Sequence, residues 1–88
     1  MSQVPADDDW RLQGQERYLA GASLKLMQWA SRDPSWDHDH CEFCSAKLAG
    51  PDIADALHQG YATQGLEHWV CPECFQDFRE RFHFKALP

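Results

Sequence analysis

Phenylalanines recur with a helical period near the end of the chain. Phe75, Phe78 and Phe82 stand at positions i, i+3 and i+7, which is the spacing of one face of an α-helix. Pro72 suits the first turn of such a helix, because its missing N–H would have no partner there. The pattern therefore predicts a helix that begins near Pro72 and buries its phenylalanine face.

The period of the pattern changes to two just before this helix, in the segment YATQGLEHWV. Tyr61 and Thr63 alternate on a first arm, and residues 66–70 form a return arm. The Gln64-Gly65 pair lies between the arms, and glycine readily supplies the positive φ that a tight turn needs. A β-hairpin is therefore predicted directly before the helix.

The N-terminal third of the chain is less regular. Residues 1–9 carry no apolar periodicity and end in three aspartates, which predicts a disordered arm. The first interpretation of the next segment is a short helix over about residues 14–20, ended by Gly21 in the left-handed conformation. Residues 22–29 then alternate as a half-buried strand would. One continuous helix over residues 14–30 fits the same letters, so that alternative stays open.

All four cysteines belong to two CxxC pairs, Cys41-x2-Cys44 and Cys71-x2-Cys74. Tetrahedral zinc takes four soft ligands, and each CxxC turn lets two sulfurs reach one ion. The spacing therefore predicts one structural Zn2+ held by four thiolates, with iron as the other ion that such ligands could take. A chain of 88 residues buries little apolar surface, so the metal-free protein is expected to be partly or wholly unfolded.

The order of CxxC knuckle, hairpin and helix resembles the treble-clef zinc finger. In that arrangement the N–H groups at the helix N-terminus can stabilise the Cys71 and Cys74 thiolates. The predicted fold is a small, zinc-stabilised α+β domain with a treble-clef-like finger over residues 36–84. The N-terminal helix and strand pack on this finger, and residues 10–88 form a single domain.

The expected cellular compartment favours one kind of cysteine chemistry, and the formal charge of the chain favours one kind of partner. The N-terminal segment MSQVPADDDW has no basic n-region and no apolar h-region, and no apolar run is long enough to span a membrane. A cytoplasmic protein is therefore expected, in which a metal site is favoured over disulfides and over a redox CxxC. The formal charge of −6 argues against nucleic acid as a partner. Arg79, Arg81 and Lys85 are interpreted as favourable charge at the end of the C-terminal helix.

Histidines flank both cysteine pairs: His38 and His40 in WDHDHC, and His68 before the second pair. Each could replace a cysteine as a ligand or bind a second ion, but four cysteines already satisfy one zinc. The favoured interpretation is therefore a surface or outer-shell histidine whose tautomer is fixed by Asp37 or Asp39.

The DHDH letters are similar to a catalytic element of the HNH and endonuclease VII-type nucleases, which lies on the hairpin between the knuckles in those enzymes. Here the letters precede the first knuckle. A metal-dependent hydrolase that uses His38 and His40 is therefore an alternative, and an enzyme is the less favoured class. A nucleic-acid-binding zinc finger is a second alternative.

Large aromatic residues are frequent for so short a chain. Most of them are expected in the core, and one or two left exposed would mark a protein-binding patch. The residues concerned are Trp10, Trp29, Trp36, Tyr61 and Trp69.

Four strings, DWRLQGQERYL, WDHDHCEFC, the GY of the hairpin and HWVCPECFQDF, resemble a group of small, uncharacterised bacterial cytoplasmic zinc proteins. The resemblance covers Asp9 to Phe84 and implies a stand-alone zinc protein with the four cysteines as ligands. It implies no activity. The sequence thus predicts a structural-zinc binding module that acts as a protein-interaction, adaptor or inhibitor protein, as a monomer or weak dimer.

Overall fold

The computed structural model describes residues 9–88. Residues 1–8, which make up most of the predicted N-terminal arm, lie outside this range. Within the described range the chain forms a small α+β fold with two helices, six strands and one 3-10 helix. In chain order these are α1 (Glu16–Leu19), β1 (Ser23–Gln28), β2 (His38–His40), β3 (Lys47–Ala49), β4 (Gln59–Ala62), the 3-10 helix (Gln64–Leu66), β5 (Trp69–Val70), α2 (Pro72–Phe82) and β6 (Lys85–Ala86).

Strand β1 lies inside a four-stranded sheet with the order β5-β4-β1-β6. It pairs antiparallel with β4, where Leu26 lies opposite Tyr61, and parallel with β6, where Ser23 lies opposite Lys85. The strand interpretation of residues 22–29 is therefore confirmed, and the single continuous helix is wrong. Gly21 separates α1 from β1 with a φ of 72°, as the sequence predicts.

Helix α2 confirms the phenylalanine pattern. It begins at Pro72, and Phe75, Phe78 and Phe82 are all buried. The Phe75 ring stacks on the Tyr61 ring of β4 with centroids 3.6 Å apart, so the helix packs on one face of the sheet. Burying each such ring stabilises the fold by roughly 1.5–3 kcal/mol.

Neither helix of the described range is long and apolar enough to cross a membrane.

The end of α2 differs from the sequence interpretation at one residue. His83 adopts the left-handed conformation with a φ of 54° and closes the helix. Lys85 then lies in β6 and donates its N–H to the carbonyl of Ala22. The interpretation of Lys85 as favourable charge at the end of α2 is therefore wrong, because the chain turns back after the helix and adds a strand beside β1.

The predicted hairpin is formed by β4 and β5, which pair antiparallel. Gly65 has a φ of 84° at its turn, as predicted, and the return arm pairs only over Trp69–Val70. The hairpin arms approach a neighbouring strand closely at Gly60. A Cβ there would lie 2.8 Å from Leu48 Cδ2 and 3.1 Å from the Val70 carbonyl oxygen, so a side chain at this position would force the layers apart.

The second sheet is the antiparallel pair of β2 and β3. Its Leu48 packs in a small core with Ala62 and Trp69, on the face of the large sheet opposite α2. The short sheet therefore contacts the large sheet through Leu48, and its end joins the edge strand β5 through a bridge between Cys41 and Trp69. The turn at residues 41–44, here called the knuckle, lies between β2 and β3 and faces the start of α2.

Candidate metal centre

The two cysteine pairs come together where the knuckle meets the start of α2. Cys71 is the N-cap residue of the helix, and Cys74 lies in its first turn. The Sγ atoms of all four cysteines lie within 4.8 Å of one another, and those of Cys44 and Cys71 are 3.7 Å apart. Four sulfurs at the usual zinc–sulfur distance around one tetrahedral ion lie about 3.8 Å apart. The cluster therefore has the size that one metal ion requires.

The cluster is closed by protein on most sides. Cys41, Cys71 and Cys74 are buried and Cys44 is half-buried, and all four are free thiols. Four protein ligands fill a tetrahedral coordination sphere and leave no position for water or substrate. The arrangement is compatible with a metal site that has no open coordination position.

Backbone N–H groups point at the sulfurs. Those of Phe43 and Cys71 each donate to Cys41 Sγ at 3.4 Å, and that of Cys74 donates to Cys71 Sγ at 3.4 Å. Hydrogen bonds of this kind favour the thiolate over the thiol. The sequence predicts such donors for Cys71 and Cys74. The Cys74 N–H supplies one to Cys71, whereas the Cys71 N–H donates to Cys41 and the donor to Cys74 Sγ is the Arg11 side chain.

The thiol pKa values show why the cluster fits a cation. Hydrogen bonds from the Cys71 and Cys74 thiols lower the pKa of Cys41 below its usual range. The hydrogen bond to Cys41 raises the pKa of Cys71, and those to Cys41 and Cys71 raise the pKa of Cys74, because a second thiolate beside the first is unfavourable. A divalent thiophilic ion offsets this repulsion, so the donor set fits such an ion.

Arg11 adds a positive charge next to the cluster. Its Nη1 donates to Cys74 Sγ at 3.5 Å and to Asp77 Oδ2 at 2.9 Å, while Nη2 pairs with Asp9 Oδ2 at 2.9 Å. The hydrogen bond to Asp9, followed by that to Asp77, raises the pKa of Arg11, so its guanidinium stays charged. Four thiolates around a divalent ion carry a net charge of about −2, and Arg11 lies where it offsets part of this charge.

Replacing Arg11 by Ala is expected to weaken zinc binding by about 10- to 100-fold, the usual effect of removing an outer-shell partner. The measurement is competition for zinc with a chromogenic chelator under reducing conditions. Arg17→Ala serves as the control, because it removes the same charge from the exposed surface of α1. Equal affinities of the two variants would contradict the role given to Arg11.

The structure places His38 and His40 side by side on β2, with ring centroids 5.0 Å apart. His38 Nδ1 lies 2.7 Å from Asp37 Oδ1, and His40 Nδ1 lies 3.0 Å from the Ser45 carbonyl oxygen. The two rings are thus oriented by neighbours, as the sequence predicts for Asp37. Within residues 9–88, the four cysteines form the only group of three or more side chains placed closely enough to hold one metal ion. His38 and His40 belong to no such group.

Asp39 of β2 contacts two tryptophans of the connection between β1 and β2, Trp29 and Trp36. Its Oδ2 accepts from Trp29 Nε1 at 2.9 Å and its Oδ1 from Trp36 Nε1 at 3.0 Å. Both carboxylate oxygens are therefore engaged by indoles. Of the two aspartates that the sequence offers, Asp37 is therefore the one that contacts a histidine, and Asp39 holds tryptophan side chains.

His68 links the hairpin to the knuckle. Its Nδ1 lies 2.9 Å from Glu42 Oε2, and the Tyr18 hydroxyl donates to Glu42 Oε1 at 2.9 Å. Burial and this carboxylate raise the pKa of Tyr18 to about 12. The buried Gln15 donates to the Glu42 carbonyl oxygen at 2.9 Å, so α1 is attached to the same point. These contacts are structural supports of the knuckle.

The aromatic residues divide between core and surface. Trp69 is buried, and Tyr61 stacks on Phe75, as expected for core residues. Trp10 and Trp36 remain 67% and 42% exposed. The expectation that one or two of these residues stay exposed is therefore met by Trp10 and Trp36.

Comparisons of the chain with family models, with curated proteins and with solved structures found no match. The resemblance to small bacterial zinc proteins therefore stays a prediction.

Proposed function

We propose that this protein is a structural-zinc binding module with a treble-clef-like finger. One Zn2+ is held by the thiolates of Cys41, Cys44, Cys71 and Cys74. The observation that supports this is the convergence of the four Sγ atoms within 4.8 Å at the start of α2. The zinc joins the knuckle to α2, and its role is to stabilise the surface that the module presents.

The module acts by binding another protein, as an adaptor or inhibitor in a reducing cytoplasm. Exposed tryptophans support this role, because tryptophan is enriched among the residues that contribute most to interfaces. Trp10 and Trp36 are both exposed, and the formal charge of −6 favours a basic partner through electrostatic complementarity. The module itself is a monomer or a weak dimer.

The metal-dependent hydrolase has less support. His38 and His40 are neighbours, but Asp37 binds His38 Nδ1 and Asp39 binds two indoles. A catalytic ion would normally take three protein ligands. The pair of histidines supplies two.

Site-specific photo-crosslinking tests the interaction role. A photoreactive phenylalanine is placed at Trp10, at Ser35 or at the control position Gln76, which are all exposed, in zinc-loaded protein in native lysate. A discrete protein adduct is expected from position 10 or 35 and not from position 76. The absence of any adduct, or the same adducts from all three positions, would sink the proposal.

A further inference from the structure

A cleft with a volume of about 660 Å³ lies beside the knuckle, on the side of β2. Its lining is strongly acidic, with four carboxylates against one arginine, Arg32. The carboxylates belong to Asp37, Asp39, Glu42 and Glu67. A cleft of this charge attracts cationic groups and repels phosphate.

Trp36 forms an aromatic wall of this cleft. Its indole N–H donates to Asp39 Oδ1 at 3.0 Å, and Asp39 is held in turn by the Trp29 indole at 2.9 Å. The ring is therefore held in place before any partner arrives. A preorganised aromatic surface loses little conformational entropy on binding.

An arginine of the same chain already contacts the Trp36 ring. The guanidinium carbon of Arg32 lies over the Trp36 ring, 4.9 Å from its centroid. This is a cation–π contact, which an exposed tryptophan makes readily with arginine. Arg32 thus contacts the Trp36 ring with a guanidinium, the same group that an arginine of another protein would bring.

The carboxylates of the cleft differ in whether they already accept hydrogen bonds from other side chains. Glu42 is bound by Tyr18 and His68, and both oxygens of Asp39 accept indole N–H groups. Glu67 is exposed, and its side chain makes no hydrogen bond or ion pair within residues 9–88. It is therefore available to a cation from outside.

We propose that this cleft binds an arginine side chain of a basic partner protein, with the guanidinium on the Trp36 ring and its N–H groups on Glu67. Arginine fits better than lysine, because its planar guanidinium stacks on aromatic rings, is weakly hydrated and forms paired hydrogen bonds with carboxylates. This inference rests on the proposed function and names the chemistry of the partner. Arg32 is the intramolecular competitor for the same wall.

The test is an NMR titration of the zinc-loaded protein with N-acetyl-arginine amide, and with N-acetyl-citrulline amide as the uncharged control. Saturable shifts are expected at the Trp36 indole N–H, with dissociation constants of the order of millimolar for so small a ligand. The citrulline compound is expected to give no saturable shift. Equal binding of both compounds, or no saturable shift at Trp36 with the arginine compound, would overturn the proposal.

Variants test the two contacts separately. Glu67→Gln is expected to weaken binding of the arginine compound about 2- to 5-fold, as for a single exposed ion pair. Arg32→Ala is expected to strengthen it about 2- to 5-fold, because it frees the wall. Arg17→Ala, which removes an equal charge outside the cleft lining, is expected to change it by less than the Arg32 variant. Weaker binding by Arg32→Ala, or an unchanged affinity of Glu67→Gln, would overturn the proposal.

The crosslinking and the titration fail independently. An adduct from position 10 together with no binding of the arginine compound would leave the interaction module standing and remove the arginine cleft. Binding of the arginine compound without any adduct would leave a cleft that binds a guanidinium and would remove its assignment to a partner protein.

Discussion

Removal of the proposed zinc ion is expected to unfold most of the chain. Structural zinc contributes roughly 10–16 kcal/mol of apparent binding free energy at neutral pH, whereas a whole domain is stable by only about 5–15 kcal/mol. The four cysteines join the knuckle to α2, and their crowded sulfurs are left without the cation that offsets their charge. Far-UV circular dichroism and amide NMR dispersion, recorded under reducing conditions before and after chelation, measure the loss.

A ligand variant should reproduce this result. Cys74 is buried at the centre of the contact, and a serine hydroxyl is a poor ligand for zinc, so Cys74→Ser is expected to resemble the chelated protein. The matched control is re-addition of zinc, which should restore the spectra of the chelated native chain and leave those of the variant unchanged. Native-like spectra of the metal-free protein would contradict the structural role of the metal.

Phe78→Ala is expected to have the second largest effect, a loss of about 3–5 kcal/mol in the free energy of unfolding. Phe78 is fully buried and stacks on Phe43 of the knuckle with ring centroids 4.6 Å apart. The Arg11 guanidinium carbon lies 4.6 Å from its ring centroid on another side. Removing the ring therefore leaves a cavity at the junction of the helix, the knuckle and the N-terminal segment.

Urea unfolding of the zinc-loaded protein, followed by tryptophan fluorescence, measures the effect of Phe78→Ala. Gln76→Ala is the control, because Gln76 lies on the exposed face of the same helix and its replacement is expected to change the stability by less than about 0.5 kcal/mol. A loss below about 1 kcal/mol for Phe78→Ala would show that the helix does not depend on the knuckle for its packing.

Helix α2 and the hairpin could be predicted because their signals are local. Three phenylalanines at helical spacing and a Gln64-Gly65 turn are each contained within a few residues. Strand β6 could not be predicted in the same way. Its Lys85–Ala86 pair is too short to show alternation, and its parallel partner β1 lies far away in the sequence.

The same division applies to the candidate site. Cysteine spacing alone predicts that the four cysteines come together, as the structure shows, since the chemistry of zinc fixes the number and type of donors. Arg11 carries no such signal, because it lies 63 residues from Cys74 and nothing in the WRLQGQERY segment indicates where its side chain reaches. The link from Glu42 to His68 spans 26 residues and escapes sequence reasoning for the same reason.

Burial of individual tryptophans is likewise decided by the tertiary structure. Trp36 and Trp69 each precede a cysteine pair by a few residues, yet Trp69 is buried and Trp36 is exposed. Trp69 belongs to a strand of the large sheet that is covered on both faces, whereas Trp36 lies in the connection before β2. The position of the exposed patch therefore depends on the fold.

Zinc K-edge X-ray absorption of the protein purified under reducing conditions tests the central claim most directly. The account predicts one zinc ion with a single shell of four sulfurs at about 2.3 Å. A shell of nitrogen and oxygen atoms at about 2.0–2.1 Å with imidazole scattering would contradict it and place the ion on the histidines of β2. Protein that holds iron or no metal would contradict it as well.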